Sequence, residues 1–288
     1  ESYDALASQT NEETQRNLED YCRYLQQEKH SRSFYNLVFS ALTFFYEINF
    51  KIINRTRIRT MILPNEDKIG GEAYTNEDIK KILQAIDQTK KKNYKIHTKL
   101  RSKAMVHLLA SSGIRIGSLH SLHVKDLTKI ENCYSFKVYS GSRYEHHTFL
   151  TPEATKVLEQ YLKERESIWV DRTEVRYITP QLVTFQDSLV FDMSLDAIRL
   201  SMNRLVRKAK LQESKTGKRY DKPLNHAFRK RFNTILKSNM QVNRDLAELM
   251  LGHTLIKLDA AYLKPTKEIL FEEFRKVIPE LTLFQDMS

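Results

Sequence analysis

Cysteine is almost missing from this chain of 288 residues: Cys22 and Cys133 stand far apart, and there are no others. Two such residues make no disulfide framework and offer no zinc spacing, so a reduced, cytosolic compartment fits. Long apolar runs are missing too. None approaches the ~20 residues that a membrane-spanning helix requires. The N-terminus is acidic and polar, unlike a secretory signal. The first residue is Glu1 rather than Met, as expected of a trimmed or partial chain. There is no P-loop, no paired-carboxylate metal motif and no zinc pattern, so neither a metal nor another cofactor is expected. Glycine and proline number only seven and six, which makes the places where they gather conspicuous as breaks. Acids are in deficit, 36 against 47 Lys and Arg, for a net charge of +11.

That surplus points to a polyanionic partner, most often nucleic acid. A hydrophobic share of 41% is enough for a packed core. The length suits one large or two medium domains. Residues 1–63 read as a helical unit. Leu18, Tyr21, Cys22 and Leu25 recur at helical spacing between Asn11 and Lys29. A second helix, Ser33 to Phe50, is dense in aromatics that fit a small helical core better than a base-stacking surface. Lys51, Arg55, Arg57 and Arg59 follow and could face phosphates. Pro64, Gly70 and Gly71 mark residues 64–74 as a linker, and a second domain is expected over 75–288. Its first helix opens on Thr75-Asn76-Glu77-Asp78, a capping box with Asp in the last place, followed by the stripe Ile79, Ile82, Leu83 and Ile86.

Lys90 to Lys103 carries seven basic residues and no acid, ahead of a buried helix around Met105–Leu109. Three short strands are expected between Val124 and Leu150, the last two forming a hairpin with its turn near Ser140-Gly141-Ser142. Glu145, His146 and His147 do not make a metal site, because neighbouring strand residues face opposite ways. His120 and His123, without partners at ligand spacing, read as structural or surface residues. An amphipathic helix from Pro152 to Ile168 gives way to an irregular stretch, Trp169–Asp192, before a helix capped by Ser194. Arg204 to Arg231 holds eleven Lys or Arg against Glu213 and Asp221, including the loop SKTGKRYDKP. Beyond Pro265, Ile269, Leu270 and Phe274 would share one face of a last helix. The fold class is mainly α with a small antiparallel β-sheet.

The chemistry concentrates between His226 and Tyr262. His226 and Arg229 are three apart and share a helix face. Leu251-Gly252-His253 reads as a helix stop at the glycine. Tyr262 stands nine residues beyond His253. Arg offers a planar fork for phosphate oxygens, His can donate to them or move protons, and Tyr can be a nucleophile.

H-x-x-R, then L-G-H, then this Tyr, together with Gly113-Ile114-Arg115-Ile116-Gly117-Ser118-Leu119 upstream, resembles the signature of the tyrosine recombinases, the phage-integrase family. The resemblance implies a helical DNA-clamp domain before a catalytic domain and a 3′-phosphotyrosyl intermediate on double-stranded DNA. It assigns Arg115 and Arg229 to the phosphate, His226 to proton transfer, His253 to a hydrogen bond on the phosphate and Tyr262 to attack. It also implies a homotetramer on paired DNA sites, with a monomer compatible with the free state. The basic stretches would then lie on DNA. A hairpin Lys reaches the leaving oxygen in the family, whereas this turn offers Arg143, with Lys137 just upstream as the other choice. Ser118 stands where an acid often braces the arginine. A tail after the nucleophile often docks on a neighbour, though packing on its own surface is equally open here. Two rival readings stay in play: a type IB-like topoisomerase, and a DNA-binding protein that has lost catalysis.

Overall fold

The computed structural model describes residues 3–28, 32–61, 71–89, 96–175, 184–216, 219–253 and 263–284. The chain divides into two compact units, Glu1–Gly70 and Gly71–Ser288.

The first unit holds α1 (Tyr3–Ala7), α2 (Asn11–Gln27), α3 (Arg32–Ile48) and α4 (Arg55–Met61). Thr10 starts α2 through a capping box with Glu13, which satisfies two otherwise open donors. Leu18, Cys22 and Leu25 of α2 meet Tyr35, Phe39 and Tyr46 of α3 and Ile58 of α4 in one core. The aromatic stripe is thus mainly packing, although Phe44 and Phe50 stay exposed. Three of the four cations expected to face phosphates are engaged within the unit, Lys51 donating to the Gln9 carbonyl. Arg55 pairs with Glu47, and Arg57 pairs with Glu19 at 2.8 Å.

The second unit is built around α6 (Ile96–Ser112), whose residues from Ala104 to Ser112 are all buried. This explains why α6 shows no one-sided stripe: it is covered on every side. Against it pack α5 (Asn76–Asp87), α8 (Pro152–Val175), α10 (His226–Ser238) and strand β3. Thr75 and Asp78 form the expected capping box of α5. The short α7 (Ile116–Ser121) lies beside α9 (Leu195–Lys208), which Ser194 caps as anticipated. The sheet is the antiparallel meander β1 (Leu127–Ile130), β2 (Cys133–Val138) and β3 (His146–Leu150). Val138 pairs with His146 and Lys137 with His147, so the hairpin turns where the sequence indicated. The mainly helical architecture with a small antiparallel sheet is as expected.

Several local expectations are corrected. The helix begun at Pro152 does not stop at Ile168; α8 runs on to Val175, so Trp169–Val175 is helical rather than irregular. The loop SKTGKRYDKP contains a two-stranded hairpin, β4 (Lys215–Thr216) with β5 (Arg219–Tyr220). Arg231 is not a solvated member of the basic stretch. It is 3% exposed, and it donates to Ala110 O at 2.9 Å, Asn76 Oδ1 at 2.5 Å, Glu280 O at 3.0 Å and Leu281 O at 3.2 Å. It thereby ties the last helices to the unit's centre. These are α12 (Lys267–Arg275) and α13 (Ile278–Leu281), packed on this chain's own Phe149, Phe232 and Leu236. On α12 the inward set is Leu270, Phe271 and Phe274, while Ile269 turns outward at 48% exposure. In the Lys90–Lys103 run, residues 90–95 lie outside the described residues. Lys103 is paired with Asp87 at 2.8 Å.

Candidate active site

The centre of the site is the end of α6. Gly113 takes φ +60 there, and a Cβ at that point would strike Phe232 of α10 at 2.6 Å. Only glycine allows α6 and α10 to approach so closely in this left-handed conformation. The approach brings the Gly113 carbonyl onto Arg229, whose Nη1 donates to it at 3.0 Å. Arg229 Nη2 donates to Leu251 O at 2.5 Å and to His253 Nε2 at 2.8 Å. Three of its five N–H donors therefore hold protein groups. Among the described residues, Nε–H and one Nη1–H remain for a ligand.

His253 reaches that position through the end of α11 (Arg244–Met250). Gly252 has φ +67, Gly252 N bonds Leu249 O at 2.9 Å and His253 N bonds Glu248 O at 3.0 Å, a Schellman closure. The predicted helix stop at glycine is thus present. The same closure sets His253 Nδ1 on the Glu248 carboxylate, which also pairs with Lys237. With Nε2 accepting from Arg229, the ring carries its proton on Nδ1. Lys237, Glu248, His253 and Arg229 form one chain of contacts. Glu248 and Lys237 escaped the sequence reading. For Glu248 a signal was available in the C3-to-C″ contact that a Schellman end imposes; the Lys237 pairing is a contact between two helices.

Arg115 stands at the N-cap of α7 with its side chain exposed. It comes close enough to Arg229 that the two repel. Burial first, and then the Arg115 charge, push the Arg229 guanidinium down to about 10. The carboxylate that acts on Arg229 is Glu248, more weakly than Arg115 does. Ser118 is 3% exposed, and its Oγ has no hydrogen-bond partner among the described residues, so nothing there braces Arg115 through it. His226 is the first residue of α10 and is exposed. Partial burial and the charges of Lys230, Arg229 and Arg115 hold its pKa below the ordinary value.

Arg143 does not join this group. It is exposed on the hairpin, bonded to the Tyr144 hydroxyl and stacked 4.7 Å from that ring. Lys137 points to the other face of the sheet, paired with Glu145 at 3.3 Å and opposite His147. Tyr139 and His146 occupy the arginine side instead. Tyr139 sits at φ 55, with its ring 6.5 Å from the His146 ring. Tyr262 lies outside the described residues. Arg115, His226, Arg229 and His253 are thus brought together, Arg229 bonding His253 and the charges of both arginines bearing on His226, whereas Arg143 is held on Tyr144. No group of His, Cys, Asp or Glu among the described residues could hold a metal ion. Nor is any described helix long and apolar enough to cross a membrane.

The model of the phage integrase family matches residues 72–268. Tyrosine recombinase XerC of Leptospira interrogans is 26% identical over 182 residues, which cover 63% of this chain and 52% of that protein. The chain therefore spans about half the length of the curated relatives it matches. Among solved structures, the Tn1549 transposon integrase in complex with transposon right end DNA is similar with a TM-score of 0.53 at 15% identity. That match covers 94% of this chain and 86% of the other. The same integrase with circular intermediate DNA gives 0.52 at 14% identity, over 93% and 85%. At such identities the likeness is one of fold. The family match spans more than half of the sequence and takes in the elements that carry Arg115, His226, Arg229 and His253: the chain belongs to the phage integrase family.

Proposed function

We propose that this protein cuts and rejoins double-stranded DNA as a site-specific recombinase or integrase, through a phosphotyrosyl intermediate. The observation that carries the reading is the paired guanidinium site: Arg229, fixed by Gly113, Leu251 and His253, beside Arg115. Such a pair suits the charge that builds on the non-bridging oxygens during phosphoryl transfer.

In this mechanism Tyr262 attacks the scissile phosphorus and displaces the deoxyribose 5′-oxygen, leaving a 3′-phosphotyrosyl bond. His226, open to the substrate, takes the tyrosine proton. Arg115 and Arg229 hold the phosphate oxygens. Both nitrogens of His253 are engaged in the free protein, so its part is to fix the Arg229 fork through Glu248 and Lys237. Attack by a 5′-hydroxyl from another strand reverses the step. The ester energy is conserved in the covalent bond, so no nucleotide is consumed. The XerC likeness and the DNA carried by the Tn1549 integrase structures support DNA as the partner. We assign the helical first unit, residues 1–63, to clamping the duplex, and the working assembly to a tetramer on two sites.

Covalent capture tests this reading. The full chain is incubated with fragmented DNA from its source organism and denatured, and attached DNA is measured beside Tyr262→Phe. Attachment that disappears in the variant is the expected result, and sequencing the trapped ends gives the site. Binding without any covalent product, even on nicked duplexes, would favour a DNA-binding protein without catalysis, a reading that the displaced Arg143 encourages. Relaxation of plasmids that lack the site would favour a topoisomerase.

A further inference from the structure

The reaction above moves two protons, one at the tyrosine oxygen and one at the deoxyribose 5′-oxygen. His226 supplies one station. His253 cannot readily supply the other, because Arg229 fills its Nε2 and Glu248 its Nδ1. Arg143 is turned away on Tyr144. A third imidazole meets the requirement.

His146 begins β3 on the face opposite to His147. Its register partner is the buried Val138, and two residues on, Thr148 Oγ1 donates to Ser112 O at 3.4 Å, at the end of α6. This face of the strand therefore looks onto the Gly113 turn, whose carbonyl accepts from Arg229. The His146 ring lies flat against Gly252. A Cβ there would stand 2.5 Å from Nδ1 and 2.8 Å from Nε2, so glycine at 252 leaves room for the ring as well as ending α11. His146 Nδ1 meets the Tyr144 carbonyl at 2.9 Å. A carbonyl only accepts, so the proton sits on Nδ1 and Nε2 presents a lone pair. That Nε2 is buried and has no partner among the described residues. A buried acceptor without a donor is unusual in a folded protein and calls for an explanation.

Charged and titratable groups surround this ring from each neighbouring element. Arg115 precedes α7, Arg229 comes from α10, and His147 adjoins it on β3. Tyr139 closes the hairpin side. Burial first, and then the charges of Arg229 and Arg115, hold the His146 pKa below the ordinary value against the raising effect of the Tyr144 carbonyl. An anion held between Arg115 and Arg229 would compensate both guanidiniums and make protonation of Nε2 favourable.

We propose that His146 is the proton-transfer residue for the deoxyribose 5′-oxygen, its unpartnered Nε2 facing the phosphate that Arg115 and Arg229 hold. This deepens the recombinase reading and rests on it. In cleavage the Tyr262 oxygen–phosphorus bond forms and the phosphorus–O5′ bond breaks. The O5′ takes the proton from Nε2 of the imidazolium, leaving neutral His146 and a 5′-hydroxyl. In rejoining, the neutral ring takes that proton back as the 5′-hydroxyl attacks. The group is regenerated and no other reactant is needed.

The test uses His146→Gln and a nicked duplex bearing a captured site, in two forms. One has the ordinary 5′-oxygen at the scissile phosphate and the other a 5′-sulfur, which leaves without a proton. His146→Gln should slow cleavage of the oxygen substrate by ~10²–10⁴-fold, the range of a lost general acid. Cleavage of the sulfur substrate should remain near the wild-type rate. Tyr262→Phe should cleave neither. Equal slowing on both substrates would reduce His146 to a structural residue, and no slowing on oxygen would remove it from the reaction; either result overturns the proposal. Wild-type protein that forms no adduct on either duplex would instead refute the recombinase reading. A second measurement needs no specific site. In the ¹⁵N-labelled full chain, the His146 ring should carry its proton on Nδ1, and mixed-sequence duplex DNA should move its titration upward. An Nε2–H tautomer, or a titration indifferent to the duplex, would overturn the proposal whatever the sulfur substrate shows.

Discussion

Replacing Arg229 by Met separates what this side chain does for the fold from what it does for the phosphate. Methionine keeps an unbranched side chain of comparable length in a position that is 6% exposed. It removes three hydrogen bonds from a charged donor, to Gly113 O, Leu251 O and His253 Nε2. Bonds of that kind contribute about 1.5–3 kcal/mol each, so roughly 5–8 kcal/mol of favourable interaction goes. Burial of the cation opposes this. Its pKa is pushed down by two to three units to about 10, chiefly by desolvation and then by Arg115. At 1.36 kcal/mol per unit, that relief returns roughly 3 kcal/mol. The net destabilisation should be about 2–5 kcal/mol, measured as a lower urea midpoint with an unchanged slope. Covalent capture at a temperature where the variant remains folded should drop by ~10²-fold or more, the scale of a lost transition-state donor. An unmoved urea midpoint would refute the three-acceptor clamp. Undiminished capture by a folded variant would refute the placement of this guanidinium on the phosphate.

Two further outcomes are expected. His107 is 5% exposed in α6, and burial, aided by Lys103, lowers its pKa to about 4 from 6.5. The unfolded chain therefore takes up this proton first, so the stability it contributes is full above pH ~6.5 and fades as pH falls towards 4, by about 3 kcal/mol. Urea titrations of His107→Gln should lack that part of the acid sensitivity; parallel losses in both proteins would contradict it. Arg143→Ala removes an exposed stacking contact and a hydrogen bond, both to Tyr144. It should change the capture rate less than ~10-fold, the modest scale of an exposed cation–π contact, whereas a collapse of cleavage would return Arg143 to the chemistry.

Much of the fold was legible because its signals are local. The capping box at Thr75 and the Ser194 cap depend on side chains three residues from the donors they satisfy. The hairpin turn at 140–142 depends on small residues between two strand-like runs. Long-range contacts were not legible. Trp169–Val175 gave no clear period, yet the backbone continues the helix of the segment before it. Arg231 looked like one more cation in a basic run until α6, α5 and the chain end converged on it. A charge pattern says how many cations there are, not which of them find carbonyls.

The site divides in the same way. Sequence alone determined the set Arg115, His226, Arg229, His253 and Tyr262 as a spacing, and Gly252 as a helix end, because a left-handed residue after α11 has few alternatives to glycine. Tertiary structure decided how these side chains are held. Packing of α6 on α10 through Gly113 turned Arg229 into a clamp, and the Schellman end put Glu248 behind His253. Strand register sent Lys137 to one face of the sheet and His146 to the other, against Gly252 and towards the arginines. Residues more than a hundred positions apart met there because their elements share a core. That is a property of packing, which no local pattern encodes.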